Sequence, residues 1–385
     1  MKKVNIEIQL LAVPQDKIRG IPIYIIELIN KLEKRHINEY SYSFFDYKKR
    51  RDNKRTICSY LDGGYNYKEC NDLSYRDIMD AILNDNHYLY GKYTDYFGYK
   101  ADIYHFPYSG HLPHNVDGNV VVTVHDILPV IEPFNIYFTK EQQVRFDNSM
   151  RYIANHKDIL LASISNATKD AVIQHYNIDE SRIFVTPLGY NDSLYGVSKE
   201  KDVLKKYNIS SPYLLYLGAL DPRKGIDVIL KAFDRINNKD VKLVIAGASD
   251  SSFFDIIREV SCCRRKDDVI LTGHVSEIDK RDLMANADVF LFPSLYEGFG
   301  LPILEAMASG TPVITTNVSS MPEVGGDAAL YIEPGNVEQL AENIDFLLMN
   351  KVQCENIILK GLKRCKEFSW DRTAELTEMI YEKFL

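Results

Sequence analysis

Tyr296-Glu297-Gly298-Phe299-Gly300-Leu301-Pro302-Ile303-Leu304-Glu305-Ala306-Met307-Ala308-Ser309-Gly310-Thr311-Pro312 reads as a turn from a strand into a helix. It follows an apolar run that ends near Phe292. Pro302 suits the first helical turn, where its missing N–H has no intrahelical partner to serve. Gly310 suits a helix stop, and Pro312 forbids continuation. Gly298 and Gly300 let backbone approach a ligand closely, and the helix N-terminus behind them offers unpaired N–H groups at the positive end of a dipole. Glu297 then stands at the mouth of the loop, with Glu305 about one turn into the helix. Carboxylates so placed accept hydrogen bonds from sugar or ribose hydroxyls; the plain alternative is a glycine-rich turn with solvated glutamates.

Outward from this turn, short apolar runs alternate with helical patterns. Strands are expected at Tyr213–Leu217, Val241–Ala246, Val269–Thr272, Val289–Phe292, Val313–Thr316 and Ala329–Ile332. Helix-period stretches such as Asp227–Phe233 and Glu338–Leu348 lie between them. Continuous apolar strands separated by helices mean a parallel sheet covered on both faces. Such a doubly wound α/β sheet binds ligands at the carboxyl ends of its strands. The first half repeats the scheme less tidily, with strands expected at Val4–Val13, Ser41–Asp46, Asp102–Phe106, Val120–His125, Ile159–Ser163 and Arg182–Thr186, and a helix from Ile21 to Arg35. The fold class is therefore α/β, as two doubly wound domains with a cleft expected between them. Residues 48–98 carry charged and tyrosine-rich sequence without an assignable period.

Four further segments carry candidate chemistry. Tyr216-Leu217-Gly218-Ala219-Leu220-Asp221-Pro222-Arg223-Lys224-Gly225-Ile226 follows one strand and precedes a helix. Adjacent Arg223 and Lys224 at a strand's carboxyl end can neutralise a diphosphate, although a lone Arg-Lys pair elsewhere is usually a solvated turn. Thr272-Gly273-His274-Val275 closes another strand. Val122-Thr123-Val124-His125-Asp126 does the same in the first half, where His125 is either a group for a sugar hydroxyl or a structural histidine beside Asp126. Gly20 opens the helix Ile21–Arg35, and Ser165 or Asn166 is expected to cap a helix rather than to meet a ligand.

The two glutamates seven residues apart within Glu-Gly-Phe-Gly-Leu-Pro-Ile-Leu-Glu-Ala-Met-Ala-Ser-Gly-Thr-Pro-Val-Ile closely resemble the signature of retaining glycosyltransferases of the GT-B fold, family 4 or group 1. The likeness covers most of the second half. It implies two Rossmann-like domains facing a cleft: residues 1–190 on the acceptor side, 191–366 binding a nucleotide sugar, and 367–385 as a helix crossing back to the first domain. It implies that Glu305 binds the donor ribose and that Glu297 lies beside the transferred sugar, whose hydroxyls also meet backbone at Phe299, Gly300 and Leu301. Lys224 would be the diphosphate lysine, with Arg223 sharing that role and Gly218 and Gly20 close to the donor. Val275 would meet the nucleobase, and His125 the sugar. The sequence departs from relatives at Ala219, where many carry Arg, and at Pro22 and Ile23, where many carry Gly and Arg. The Gly-x-x-x-Pro-Arg-Lys form is similar to a branch rich in mannosyltransferases, which favours a mannosyl donor. The implied reaction moves a sugar from a nucleoside-diphosphate donor to a glycan, lipid-linked or other hydroxyl acceptor with retention of configuration. The alternatives are a catalytically silent subunit that holds a partner transferase or glycan, and a sugar-nucleotide epimerase.

Composition agrees with a globular chain of two domains: 385 residues, 45% hydrophobic and 26% charged. A net charge of -8 argues against general nucleic-acid binding, which needs a basic field. No apolar run is long enough to span a bilayer, and Met1–Glu7 lacks a signal-peptide core, so a cytoplasmic protein is expected. The six cysteines form no Cys-x-x-Cys pair and no Asp-x-Asp motif occurs, so no metal and no resident cofactor is expected. Lys48-Lys49-Arg50-Arg51-Asp52-Asn53-Lys54-Arg55 could bring peripheral contact with anionic headgroups at the inner membrane face, or be a solvated loop. The eleven tyrosines between Tyr60 and Tyr108 belong to a chain with 26 of them, which favours packing over sugar stacking.

Overall fold

The computed structural model describes residues 2–8, 10, 20–35, 39–46, 67–69, 101–112, 116, 118–197, 202–210, 212–247 and 255–384. The basic stretch Lys48–Arg55, most of the tyrosine-rich segment, Cys58 and Cys70 lie outside them. The chain divides into two compact units, Met1–Leu188 with Trp370–Leu385, and Gly189–Ser369.

The first unit is built on a sheet of β1 (Lys2–Glu7), β2 (Tyr40–Asp46), β3 (Tyr67–Glu69), β4 (Ile103–Phe106), β5 (Asn119–Val124), β6 (Leu160–Ser163) and β7 (Ile183–Val185). Their order is β3-β2-β1-β4-β5-β6-β7, with every pairing parallel. Buried Val120, Val121, Val122 and Val124 show why β5 is central: β-branched side chains pack well on a sheet covered on both faces. The expected strand Val4–Val13 is shorter among the described residues, ending at Glu7. β7 starts after Arg182, which serves another purpose. Its guanidinium donates to the carbonyls of Ile153, His156 and Ile159, satisfying acceptors at the end of the helix Lys140–Asn155. Ser165 caps the helix Asn166–Tyr176, accepting from the Thr168 N–H at 3.0 Å, as its residue type suggested.

The helix Ile21–Arg35 buries Tyr24, Ile25, Leu28, Ile29 and Leu32, a spacing that makes one apolar stripe. Against it packs the helix Trp370–Tyr381, held by Lys31–Asp371 (2.7 Å) and Arg35–Glu378 (2.9 Å). Beneath both runs a buried polar chain. The Tyr24 hydroxyl bonds Thr123 Oγ1 (2.9 Å), which bonds His105 Nε2 (2.8 Å), while His105 Nδ1 meets the Tyr381 hydroxyl (2.7 Å). These polar side chains are acceptable in the core because each finds a partner.

The second unit carries β8 (Tyr213–Leu217), β9 (Lys242–Ala246), β10 (Val269–Gly273), β11 (Val289–Phe292), β12 (Val313–Thr316) and β13 (Ala329–Ile332), again all parallel, in the order β10-β9-β8-β11-β12-β13. These are the six strands the sequence predicts, to within one residue at each end. Leu214, Ile229, Phe233, Val289, Leu291, Ile314 and Ile344 form part of its core. The strand order reverses between β8 and β11, and doubly wound sheets bind ligands at the carboxyl ends of the strands at such a reversal. Among the described residues no helix is long and apolar enough to cross a membrane.

Candidate functional site

Both loops at the β8–β11 reversal carry charge. After β8, Asp221 accepts from the Arg223 N–H (3.0 Å) and starts a single 3-10 turn, Pro222–Lys224. Gly225 ends that turn at φ +69, and a Cβ there would lie 2.3 Å from the Pro293 carbonyl oxygen, so only glycine lets the two loops pack. The Leu295 N–H donates to the Arg223 carbonyl (2.8 Å) and ties the loops together.

This packing sets two cations beside one carboxylate. Glu297 Oε1 accepts from Lys224 Nζ (2.5 Å) and Ser294 Oγ (2.6 Å), with Arg223 at 3.5 Å. All three charged side chains are largely buried. Burial alone would raise the Glu297 carboxyl, but Lys224 first and Arg223 next outweigh it, holding it below the ordinary carboxylate range. Arg223 also donates to the Tyr296 carbonyl (2.5 Å) and lies 3.5 Å from Asp221, so it braces the loop. Ser319 and Ser320 accept this loop from the other side, donating to the Glu297 carbonyl at 2.5 and 2.9 Å.

Gly300, at φ +98, turns the loop into the helix Leu301–Ala308. Phe299 is buried edge-on against Phe368, 5.8 Å between centroids, which fixes the backbone at 299–301. Glu305 lies inside the helix, only 4% exposed. Its Oε1 accepts from Lys280 Nζ at 2.7 Å, while its Oε2 is buried and takes no geometrically ideal hydrogen bond among the described residues. An unsatisfied buried acceptor costs about 1–3 kcal/mol, more if charged, so such an atom marks a place where a donor is missing. Lys280 belongs to the helix Glu277–Asn286, whose N-cap Ser276 directly follows Val275. Gly218 directly follows β8, its N–H bonded to the Ala246 carbonyl.

Two expected site residues belong to the first unit. Gly20 opens the helix Ile21–Arg35 at φ +55, and no atom of the described residues lies within 4 Å of where its Cβ would stand. His125 follows β5, and its Nε2 lies 2.8 Å from the Pro107 carbonyl, which can only accept, so Nε2 carries the proton. The ring is nearly buried, edge-on to Tyr24 at 4.9 Å, and burial pushes its pKa down to about 4, against a smaller upward pull from the Pro107 bond. A neutral ring so oriented keeps Nδ1 as an acceptor. A hydroxyl that met this face of the ring would therefore have to donate to it.

Residues 199–364 match the family model of the glycosyl transferases group 1. Over 293 residues the chain is 31% identical to the O-antigen chain mannosyltransferase B of Escherichia coli, covering 74% of this chain and 75% of that one. The chain belongs to the group 1 glycosyltransferases. This glycosyltransferase is also 30% identical over 236 residues to the O-antigen chain mannosyltransferase RfbU of Salmonella typhimurium, across 59% of its own length and 63% of the relative's. Its fold is GT-B. Solved structures share it at low identity: sucrose-phosphate synthase from Thermosynechococcus elongatus (TM-score 0.71, 19% identical, 100% and 99% of the two chains) and Anabaena Alr3699/HepE in complex with UDP and glucose (TM-score 0.72, 16%, 100% of each).

Within the second unit, the structure brings Lys224, Arg223 and Glu297 into direct contact and places Glu305 on the same loop-and-helix segment as Glu297. Sequence reasoning missed Ser294, Lys280, Tyr195 and Glu277. Ser294 follows β11 and could have been suspected from its place at a strand end. Lys280 and Glu277, three apart on one helix, look like a solvated i,i+3 pair, and nothing in the spacing of Tyr195 links it to either.

Proposed function

We propose that this glycosyltransferase moves a sugar, with mannose favoured, from a nucleoside-diphosphate donor to a hydroxyl of a growing glycan with retention of configuration. The observation that carries the reading is the meeting of Lys224 and Glu297 at the strand reversal, with the buried Glu305 about one turn into the helix that follows. The mannosyltransferases among the relatives support the sugar.

Breaking the anomeric C–O bond leaves negative charge on the departing diphosphate. Lys224 is a compact point charge that can pass from Glu297 to a phosphate oxygen, and the N-terminus of the helix Leu301–Ala308 supplies oriented N–H groups nearby in sequence. Arg223, already committed to Tyr296, holds the loop and adds field. As Lys224 turns to the diphosphate, Glu297 is left to accept from hydroxyls of the transferred sugar. Glu305 Oε2 accepts from the ribose. Val275 and Gly218 contribute backbone beside the base and diphosphate, and His125 accepts a sugar hydroxyl through Nδ1. Gly20 provides close backbone approach.

A thermal-shift screen against GDP-mannose, UDP-glucose, dTDP-glucose and ADP-glucose, followed by transfer assays with the stabilising donor, tests the reading. A ligand at 100 times its Kd adds about 2.7 kcal/mol to stability. GDP-mannose is expected to stabilise most. Failure of every sugar nucleotide to shift the midpoint overturns the donor assignment.

A further inference from the structure

Glu305 does not stand alone. Lys280 Nζ reaches its Oε1 at 2.7 Å and Glu277 Oε2 at 3.6 Å, and sits 5.5 Å above the centre of the Tyr195 ring. The Tyr195 hydroxyl donates to Glu277 at 3.3 Å and lies within hydrogen-bonding reach of the Glu305 carboxylate as well. The Lys280 side chain is 12% exposed and that of Glu305 6%, so one ammonium is enclosed by two carboxylates and an aromatic face. Burial opposes the charge on Lys280, yet Glu305 and Glu277 outweigh it and raise its pKa. Burial, then the same two carboxylates, push the Tyr195 phenol far above its ordinary range, so it stays a donor.

An ammonium held this way fixes the Glu305 carboxylate in one orientation. The long side chain of an unpaired glutamate would otherwise sample several rotamers. With Oε1 committed and Oε2 open, the site has one strong acceptor left. The cluster of Glu305, Glu277 and Lys280 carries a net negative charge, so it disfavours phosphate and favours a neutral group with O–H donors, such as a ribose diol.

We propose that Lys280, backed by Glu277 and Tyr195, is a positioning residue that holds Glu305 Oε1 so that Oε2 is preset to receive a ribose hydroxyl. The assignment rests on the reading of Glu305 given above. Its consequence is that Lys280 governs discrimination between ribose and its deoxy forms without touching the nucleotide.

Calorimetric titration with GDP and 2′,3′-dideoxy-GDP, and in parallel with UDP and 2′,3′-dideoxy-UDP, tests it. The wild type should prefer the ribo form by roughly tenfold, as expected for hydrogen bonds to a charged acceptor. Lys280→Met should bring that ratio close to one while changing dideoxy affinity by less than about threefold, and should raise the donor KM with little change in kcat. Lys280→Arg should recover most of the ratio. An unaltered ratio in a folded Lys280→Met protein overturns the role of Lys280 while leaving the ribose reading of Glu305 in place. A wild type that binds both forms equally, or neither nucleotide, overturns that reading and this assignment with it. Should Lys280→Met not fold, Tyr195→Phe carries the test: loss of its contacts with Glu277 and Glu305 should lower the ratio about threefold, and an unchanged ratio overturns the proposal.

Discussion

The two units share a strand order apart from β7, which only the first carries, yet the groups they gather are opposite in kind. At the β8–β11 reversal the second unit keeps ions: Lys224 with Glu297, and Lys280 with Glu305, each pair close enough for opposite charge to outweigh the penalty of burial. Around β4 and β5 the first unit keeps neutral groups. His105 is pushed down to about 3, by burial first and the neighbouring His125 second, and the buried hydroxyls of Tyr24 and Tyr381 are held above their ordinary range. One unit holds charges that an incoming ion could redistribute, whereas the other holds hydrogen bonds that do not depend on charge. Burial is shared; what differs is whether a partner of opposite sign lies within reach.

The contrast is attacked most directly at Lys224. Lys224→Ala should lower transfer roughly 10²–10³-fold, the usual cost of about 2.7–4 kcal/mol for one preorganised charge-stabilising donor. It also leaves Glu297 buried beside a weaker counter-ion, so the melting midpoint should fall. Adding Glu297→Gln should restore the midpoint and not the activity. Wild-type turnover in the single variant would remove Lys224 from the reaction.

A smaller effect is expected at Glu305. Glu305→Gln keeps the shape but removes the charge of the proposed ribose acceptor, about 1.5–3 kcal/mol for a hydrogen bond to a charged group, or at least about tenfold in GDP or UDP affinity by titration. Unchanged affinity would show that the open Oε2 serves nothing in nucleotide binding.

The gentlest test is pH, which should separate the units. His105 and His125 are held neutral, so the unfolded chain takes up protons first as pH falls below about 6.5. Their stabilising share is therefore full above that value and is lost as pH falls towards about 4 for His125 and about 3 for His105. The steepest loss is about 1.4 kcal/mol per pH unit for each ring. Trp370 is the single tryptophan and is buried in the first unit near Tyr24, so its fluorescence reports that unit alone. Its midpoint should drop between pH 6.5 and 4.5, and His105→Gln should flatten the slope. A flat wild-type profile would mean the rings are not held neutral.

The strands of the second unit were legible because sheets buried on both faces demand unbroken apolar runs, and Tyr213–Leu217, Val289–Phe292, Val313–Thr316 and Ala329–Ile332 are such runs. In the first unit the edges blur: Lys2 and Asn119 open strands with polar residues, and Arg182 looks like a strand start but caps a helix. At the site, Glu297, Glu305, Arg223 and Lys224 were legible because they punctuate strand-to-helix turns. Their partners were not. Lys280 reaches Glu305 from another helix, and Tyr195 reaches Glu277 from 82 positions away, distances that no local pattern records.

The helix Trp370–Tyr381 gives the first unit a peculiar timetable. Residues 1–188 leave the ribosome long before Tyr381 can meet His105, or Glu378 can meet Arg35 and Tyr42. Until then, His105 Nδ1 and the Arg35 guanidinium lack these partners, and the helix Ile21–Arg35 lacks its neighbour. The second unit, continuous in sequence, has all its strands in hand by then. The contacts of the unit translated first thus cannot be complete until the last helix of the chain has been made.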